Sequence, residues 1–481
     1  MNLLPQLQHN PVIMDIITAC SQLVSKSGNR AYIVGGYVRD LLLEREKSEV
    51  DILVIGDGPE FAKSCAKQLK VKRVDLFKRF GTAHFVYKGI DVEFVGARKE
   101  SYSRDSRKPE VEAGSFEDDI TRRDFTVNTL ALSLVPDELG EVIDTFHGVD
   151  AIAQKILVTP LDPYATFDDD PLRIMRAFRF ASQLGFSVHP DVVAAATAMK
   201  ERLSIVSVER ISAEFLKILE SPKPSVGLIL LFESGVLEVI FPEAARMGGV
   251  EQRQEYHHKD VFYHTCQVVD NLAEVSDNLW LRFAALVHDI AKPNTKRFYE
   301  GIGWTFHGHE DVGAKMMRGI FRRLRLPLHR LEYVAKLVKL HLRPIALAKE
   351  EVTDSAIRRL IVEAGEELDD LIVLCRADIT SKNPHKVTRY LSNYDFVMER
   401  VVEVREKDAL RAFQSPVRGE TIMEVCKLPP SKLVGVIKEA IEAAILEGEI
   451  PNTYEAAYTY MLENKDALIE GYLSQNTEKQ R

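Results

Sequence analysis

Residues 31–56 read AYIVGGYVRDLLLEREKSEVDILVIG, and they decide what kind of domain opens the chain. AYIVGG is a short apolar run ending in two glycines, which predicts a strand that breaks at Gly35 and Gly36. YVRDLLLE continues with helical character, and VDILVIG, Val50 to Gly56, predicts a second strand. Glycines at a strand-to-helix turn let backbone N–H groups approach a phosphate, and the helix N-terminus adds a favourable dipole. Gly35, Gly36 and Arg39 are therefore candidate nucleotide-binding positions, although a Gly-Gly turn is also an ordinary loop feature. On the second strand Glu49 and Asp51 stand at i and i+2, so they share a face, about 6.6 Å apart along the chain. Acids so placed suit a pair of divalent ions about 3.5–4 Å apart, which stabilise attacking and leaving oxygens in phosphoryl transfer. The same spacing also occurs on solvated sheet faces.

Working outward, Val12 to Val24 is amphipathic at helical period and ends near Gly28; Phe61 to Leu69 predicts another helix. Arg73–Phe77, Ala83–Tyr87 and Ile90–Gly96 predict further strands, the last carrying Glu93 as a third candidate acid. The first 150 residues or so thus read as a sheet with helices on one side. RRDFTVNTLAL, Arg122 to Leu132, places basic and amide groups at the start of a predicted helix. Arg123 is suited to grip a triphosphate or ribose, and Asp124 suits either a binding role or an N-cap.

In DDDPLRIMRAFRF, residues 168–180, Pro171 suits a first helical turn and Asp170 its N-cap. Asp170 and Arg173 are three apart and share a face. Ionised Asp only accepts hydrogen bonds and Arg only donates them. Together they match an exocyclic amine beside a ring acceptor, the edge that cytosine and adenine both present. Uracil and guanine would leave buried groups unpaired. Arg176, one turn on, would help to hold the nucleotide, and Arg179 continues a basic stripe.

Composition sets outer limits. The chain has 481 residues, 46% hydrophobic and 28% charged, as expected of about three globular domains. Its net charge of −9 leans against a general nucleic-acid binder, so any such contact must be a local basic track. Five cysteines without CxxC spacing predict reduced thiols and a cytoplasmic setting. No long uncharged apolar run and no secretory signal is visible, so no membrane span is expected.

The blocks GGYVRDLLL, E-V-D, VEFVGAR, RRDFTVNTLAL, DDPLRIMRAFRFA and SVERISAEFLKIL follow one another from about residue 31 to 220. In this order the chain resembles class II tRNA nucleotidyltransferases and bacterial poly(A) polymerases, members of the polymerase β-like nucleotidyltransferases. The resemblance implies addition of CCA to tRNA from CTP and ATP, with Mg²⁺ held by Glu49 and Asp51 and with Glu93 as third catalytic acid. It implies nucleotide binding by Gly35, Gly36, Arg39, Arg123, Asp124, Asn128, Asp170, Arg173 and Arg176. A-only or poly(A) products share nearly every motif. Two positions depart from the family pattern: Asp169 stands where Glu is frequent, and Glu49 where Asp is usual. The latter keeps open a third reading, a phosphohydrolase whose head only binds RNA.

That phosphohydrolase signal lies downstream. LRFAALVHDIAKP carries His288-Asp289 at the end of an apolar helix, with His264 before it and His309, His341 and Asp378 after it. The ordered set resembles the HD phosphohydrolase superfamily, which implies one or two divalent transition-type ions and hydrolysis of phosphomonoesters or 2′,3′-cyclic phosphates. His307 and His329 read as ordinary packed or surface residues. From about Gly419 the chain resembles a tRNA-gripping tail. The expected architecture is α+β: a nucleotidyltransferase head over residues 1–150, then an all-α neck (151–247), HD domain (248–400) and tail (401–481), with no obligate protein partner.

Overall fold

The computed structural model describes residues 1–77, 81–103, 106–254, 257–300, 303–348, 352–381, 383–408 and 415–478. The chain divides into two units. The first comprises Met1–Glu251, Lys259–Leu279 and Ile320–Pro327; the second comprises Gln252–His258, Trp280–Gly319 and Leu328–Arg481.

The first unit opens with helix α1 (Pro11–Ser27), capped by the Asn10 side chain on the Ile13 N–H and closed by Gly28 at φ 73°. Strand β1 (Arg30–Val34) runs into α2 (Gly36–Leu42), and β2 (Glu49–Ile55) into α3 (Gly58–Gln68). There follow β3 (Asp75–Phe77), β4 (Thr82–Tyr87), β5 (Ile90–Gly96), the hairpin β6 (Arg98–Ser103) and β7 (Ser106–Ala113), and α4 (Phe116–Thr121). Strands β8 (Ala131–Ser133) and β9 (Val142–Ile143) complete a seven-stranded sheet of order β3-β4-β5-β2-β1-β8-β9 among the described residues. The ladder is mixed: β2 pairs β1 antiparallel and β5 parallel. Ile33, Ile52, Leu53 and Val54 are fully buried, so β1 and β2 form the middle of the core and carry what lies at their ends on a rigid base.

RRDFTVNTLAL departs from the expected helix. Thr126–Asn128 is a single 3₁₀ turn, and Ala131 to Ser133 joins the sheet beside β1. Leu130, Ala131, Leu132 and Leu134 are fully buried, and a strand buried on both faces is as apolar as a buried helix, which is how periodicity misled.

Beyond the sheet, α5 (Pro163–Asp169) and α6 (Leu172–Leu184) meet at Asp170. Asp170 lies in the extended region, φ −141° and ψ 98°, so it stands outside the helix rather than on one of its faces. Its Oδ1 nevertheless accepts from the Leu172 N–H at 3.1 Å, the expected capping contact. The apolar face of α6 packs on α7 (Val208–Leu219) and α8 (Pro224–Glu233), and α8 on α9 (Val261–Ala273). Arg179 does not extend a basic stripe. It is buried against Glu214 of α7 at 3.1 Å, and burial pushes its pKa down to about 10 against the pull of that carboxylate.

The second unit is largely helical: α10 (Leu279–Val287), α11 (His309–Arg323), α12 (Leu331–Leu340), α13 (Asp354–Ala364), α14 (Leu368–Ala377) and α15 (Pro384–Asp408). Residues at the ends of α10 and α11 fall to the first unit. The tail helices Gly419–Cys426, Lys432–Leu446 and Tyr454–Glu478 close over their own core of Ile422, Ile437, Ile441, Ala457 and Met461. The all-helical expectation missed short strands, among them the parallel pair Ile156–Leu157 with Ser187–Val188 and the hairpin of Arg297–Tyr299 with Gly303–Thr305. Two- and three-residue ladders are too short to show a period of two. No described helix is long and apolar enough to cross a membrane.

Candidate functional site

In the parallel ladder of β2 and β5, Asp51 stands opposite Glu93, and Glu49 opposite Asp91. Glu49, Asp51 and Glu93 therefore share one face of the sheet. Burial raises the Asp51 carboxyl above its ordinary pKa, with Lys47 and Arg123 drawing it down and Glu49 pushing it up. Glu93 is raised too, first by burial and then by Asp51. Acids that hold one another's protons in this way fit a divalent cation, which would relieve both effects.

The glycine pair adjoins this face. Gly35 has φ +74°, a conformation that L side chains rarely adopt, and a Cβ there would sit 2.7 Å from Arg123 Nη1. A Cβ on Gly36 would sit 2.9 Å from Lys47 Nζ. Each glycine thus admits one cation against the turn that opens α2. Sequence reading missed Lys47, which also lies 3.6 Å from Glu49. Its signal was a basic residue two positions before the strand acid. Asp119 was missed as well. Fully buried, it bonds Arg122 and accepts from Arg123 at 3.0 and 3.2 Å. Burial opposes that charge, but Arg123 and then Arg122 hold it below the usual carboxylate value. Its i+3 and i+4 spacing to the two arginines was legible.

A buried chain of polar groups lies behind the turn. Arg39 forks onto Asp40 at 2.9 and 2.8 Å and donates to Asn128 Oδ1 at 2.7 Å. Asn128 donates to Asp124 at 2.9 Å, and Asp124 accepts from Arg176 Nε at 2.6 Å. Arg39, Asn128 and Asp124 thus brace one another and tie α2, the 3₁₀ turn and α6 together. Burial disfavours the Asp124 carboxylate, yet Arg176 and Asn128 outweigh it and lower its pKa to about 2. A carboxyl so depressed stabilises the fold fully above its ordinary 3.8 and loses that contribution as pH falls towards 2. Asp124→Asn is expected to destabilise the protein by roughly 2–4 kcal/mol at neutral pH. Urea unfolding should show that deficit shrinking between pH 4 and pH 2.

Arg173 of α6 donates to the Thr166 carbonyl at 3.0 Å and to the carbonyl of Arg122. Two backbone acceptors thus fix the plane of its guanidinium.

In the second unit three histidines repeat one arrangement. His288 Nδ1 lies 2.7 Å from the Ala285 carbonyl, His309 Nδ1 2.8 Å from Phe306, and His341 Nδ1 2.7 Å from Val338. A carbonyl can only accept, so each Nδ1 carries a proton, and Nε2 is the ring atom left on the side where a metal could be ligated. All three Nε2 atoms converge on Asp289: His288 at 3.1 Å, His309 at 3.1 Å and His341 at 3.9 Å. Nε2 of His309 and His341 are 3.3 Å apart, two ring nitrogens facing across a space that suits a cation. Asp289, His309 and His341 form a compact potential metal set, all buried. Asp378 lies 3.5 Å from His288 Nε2, and Lys292 donates to Asp289 at 2.6 Å. Burial opposes a charged His288, but Asp289 and then Asp378 raise its pKa to about 10. His341 is pushed down to about 4 by burial and then by His288. This donor set fits a divalent transition-type ion. His264 lies on α9 of the first unit.

Family models match the chain in three blocks. A "Poly A polymerase head domain" spans residues 31–158, a "Probable RNA and SrmB- binding site of polymerase A" residues 185–247, and an "HD domain" residues 261–383. An A-adding tRNA nucleotidyltransferase of Deinococcus radiodurans is 32% identical over 352 residues, 71% of this chain and 78% of that protein. The chain belongs to the tRNA nucleotidyltransferase family. A CCA-adding enzyme of Anoxybacillus flavithermus is 31% identical over 318 residues, 66% of this nucleotidyltransferase and 70% of its relative. Another, from Geobacillus sp. (strain WCH70), is 41% identical over 217 residues, which span only about half, 52%, of the relative's length. Among solved structures, the Bacillus stearothermophilus CCA-adding enzyme in complex with CTP matches with a TM-score of 0.66 and 24% identity, covering 96% of this chain and 100% of that one. That likeness is one of fold.

Proposed function

We propose that this nucleotidyltransferase adds CCA to the 3′ end of tRNA from CTP and ATP, and that its HD region hydrolyses phosphoesters at RNA ends. The observation that carries the first part is the register of β2 and β5, which sets Asp51 against Glu93 with Glu49 on the same face, beside a glycine turn flanked by Arg123 and Lys47. Glu49 and Asp51 would hold Mg²⁺, which when bound would offset negative charge on the reacting phosphate and lower the pKa of the attacking 3′ hydroxyl. Arg123 and Lys47 bind the triphosphate, and Asp119 keeps Arg123 aimed at it. Arg173, its plane set by two carbonyls, presents its other donors to the base, and Asp170 accepts from the base amine. Arg39, Asn128 and Asp124 act on the nucleotide through this frame.

A second reading has a specific observation behind it, since one relative is named an A-adding enzyme. One assay separates the two. The protein is incubated with Mg²⁺ and tRNA lacking its last three nucleotides, each labelled NTP is supplied in turn, and the ends are sequenced. Incorporation of CTP and ATP with a stop after three additions supports CCA synthesis. ATP alone supports the second reading, and equal use of UTP or GTP overturns the assignment of Asp170 and Arg173.

For the HD region, Asp289, His309 and His341 would hold one ion, and His288 and Asp378 would belong to a second. Phosphate release from RNA ending in a cyclic phosphate is expected of the wild type and not of His288→Ala; equal release by both removes the assignment. The fourfold division at residues 150, 247 and 400, the tail as tRNA grip and a cytoplasmic setting complete this reading.

A further inference from the structure

Between the His288-Asp289 pair and His309 the chain makes the hairpin of Arg297–Tyr299 and Gly303–Thr305. Phe298 pairs directly across the ladder with Trp304, so both rings stand on one face. Their centroids are 5.2 Å apart in an edge-to-face contact. Water reaches both: Phe298 is 59% exposed and Trp304 43%. Lys296 places Nζ 4.6 Å from the Trp304 ring centroid. A core-building pair would be buried, and a hairpin this short gains little by exposing two large rings. From Lys292 to Phe306 the chain carries Lys292, Lys296 and Arg297 against the single acid Glu300. The strip is thus basic and aromatic at once, in a chain whose net charge is −9.

The hairpin is also tied to the metal-ligand cluster. Lys292 bonds Asp289 at 2.6 Å and lies 5.8 Å from the Phe306 ring centroid. The Phe306 carbonyl, in turn, accepts from His309 Nδ1. Along the chain, Phe298 follows Asp289 by nine positions and Trp304 precedes His309 by five.

We infer that the Phe298–Trp304 face is a stacking platform for a nucleobase of a single-stranded RNA 3′ end, delivering the terminal phosphate to the HD cluster. The inference rests on the HD reading above and adds to it which residues hold the RNA end. Exposed aromatic faces interleaved with cations are how sequence-tolerant single-strand binders hold bases, because every base offers a π-face while the cations follow the backbone. Lys296 and Arg297 would meet the backbone phosphates, and Lys292 remains with Asp289.

The chain has two tryptophans, Trp280 and Trp304, so a Trp280→Phe protein reports on the hairpin alone. Titration with a short single-stranded RNA is expected to quench its fluorescence, while an abasic strand of equal length quenches it much less. In hydrolysis, Phe298→Ala/Trp304→Ala is expected to lower the ratio of kcat/KM for a 3′-phosphorylated RNA to that for glycerol phosphate by about tenfold, in line with loss of one stacked base. An unchanged ratio together with absent quenching overturns the platform. Quenching by a protein that hydrolyses neither substrate retains the platform and removes the HD reading instead. Equal quenching by the abasic strand also overturns it, since the contact would then be electrostatic. Should this face instead meet a protein or a second copy of the chain, neither quenching by RNA nor a change in the ratio will appear.

Discussion

Asp51→Ala is expected to abolish nucleotide addition and at the same time leave the metal-free protein as stable as before, or more so. The loss follows from position. Asp51 lies between Glu49, two residues back on β2, and Glu93, opposite on β5, so among the described strands it is the acid that would join the other two around a cation. Removing such a ligand forfeits several kcal/mol of transition-state stabilisation, about a thousandfold or more in rate. The stability effect follows from the raised pKa values of Asp51 and Glu93. An acid whose folded pKa lies above its unfolded one favours the fold below the unfolded pKa, and that advantage is lost as pH rises through the folded value. At neutral pH these carboxylates therefore weigh against the metal-free fold, and deleting one relieves its neighbour. Thermal unfolding with EDTA should show a Tm equal to or above that of the wild type, and primer extension should show no product. Full extension by the variant would end the metal assignment.

Glu49→Asp is the companion test. Glu49 carries one methylene more than the family's usual Asp, and Mg²⁺ demands near-ideal octahedral geometry. In the structure Glu49 is exposed and 3.6 Å from Lys47. The shorter side chain is expected to keep or raise the rate of addition under otherwise identical conditions. A fall of tenfold or more would mean that the strand has been rebuilt around the longer acid.

What could be read in advance divides along physical lines. The strands from Val50 to Gly96 were legible within a residue or two, because buried apolar runs bounded by glycines and acids leave few alternatives. The shared face of Glu49 and Asp51 followed from the period of a strand alone. That Glu93 stands directly opposite Asp51 did not, because register between β2 and β5 is a long-range property that no local pattern encodes. Likewise no local pattern shows that Arg39 forks onto Asp40 and bonds Asn128, 89 positions away. Lys47 went unread because a lysine in a polar loop looks like any surface lysine until a glycine without a Cβ is folded against it. In the HD region the ligand order was plain, whereas the common i−3 carbonyl behind each imidazole appears only when α10, α11 and α12 each end or begin at a histidine.

Those carbonyls set up the second large effect, that of Asp289→Asn. Three Nε2 atoms and one lysine converge on the Asp289 carboxylate, which is almost wholly buried and whose charge its neighbours hold far below the ordinary carboxylate pKa, although burial opposes it. Asparagine keeps the shape, but it is neutral, and an amide nitrogen that cannot ligate replaces one carboxylate oxygen. His309 and His341 then face each other without the anion that makes a cation welcome, and Lys292 loses its partner at 2.6 Å. Stripping one member from a buried charged set costs about 3–5 kcal/mol, so the unfolding midpoint should fall as well. Bound transition-type metal, read by elemental analysis after dialysis, should drop from at most about two ions per chain to near none. Phosphate release should fall by about a thousandfold or more. Nucleotide addition provides the internal control, because the acids of β2 and β5 lie in the first unit and Asp289 in the second. If the variant keeps its metal and its hydrolysis, Asp289 is a structural counter-ion for Lys292 and the ions, if any, are held elsewhere. If addition is lost along with hydrolysis while the protein remains folded, the two chemistries are coupled in a way that separate sites do not predict.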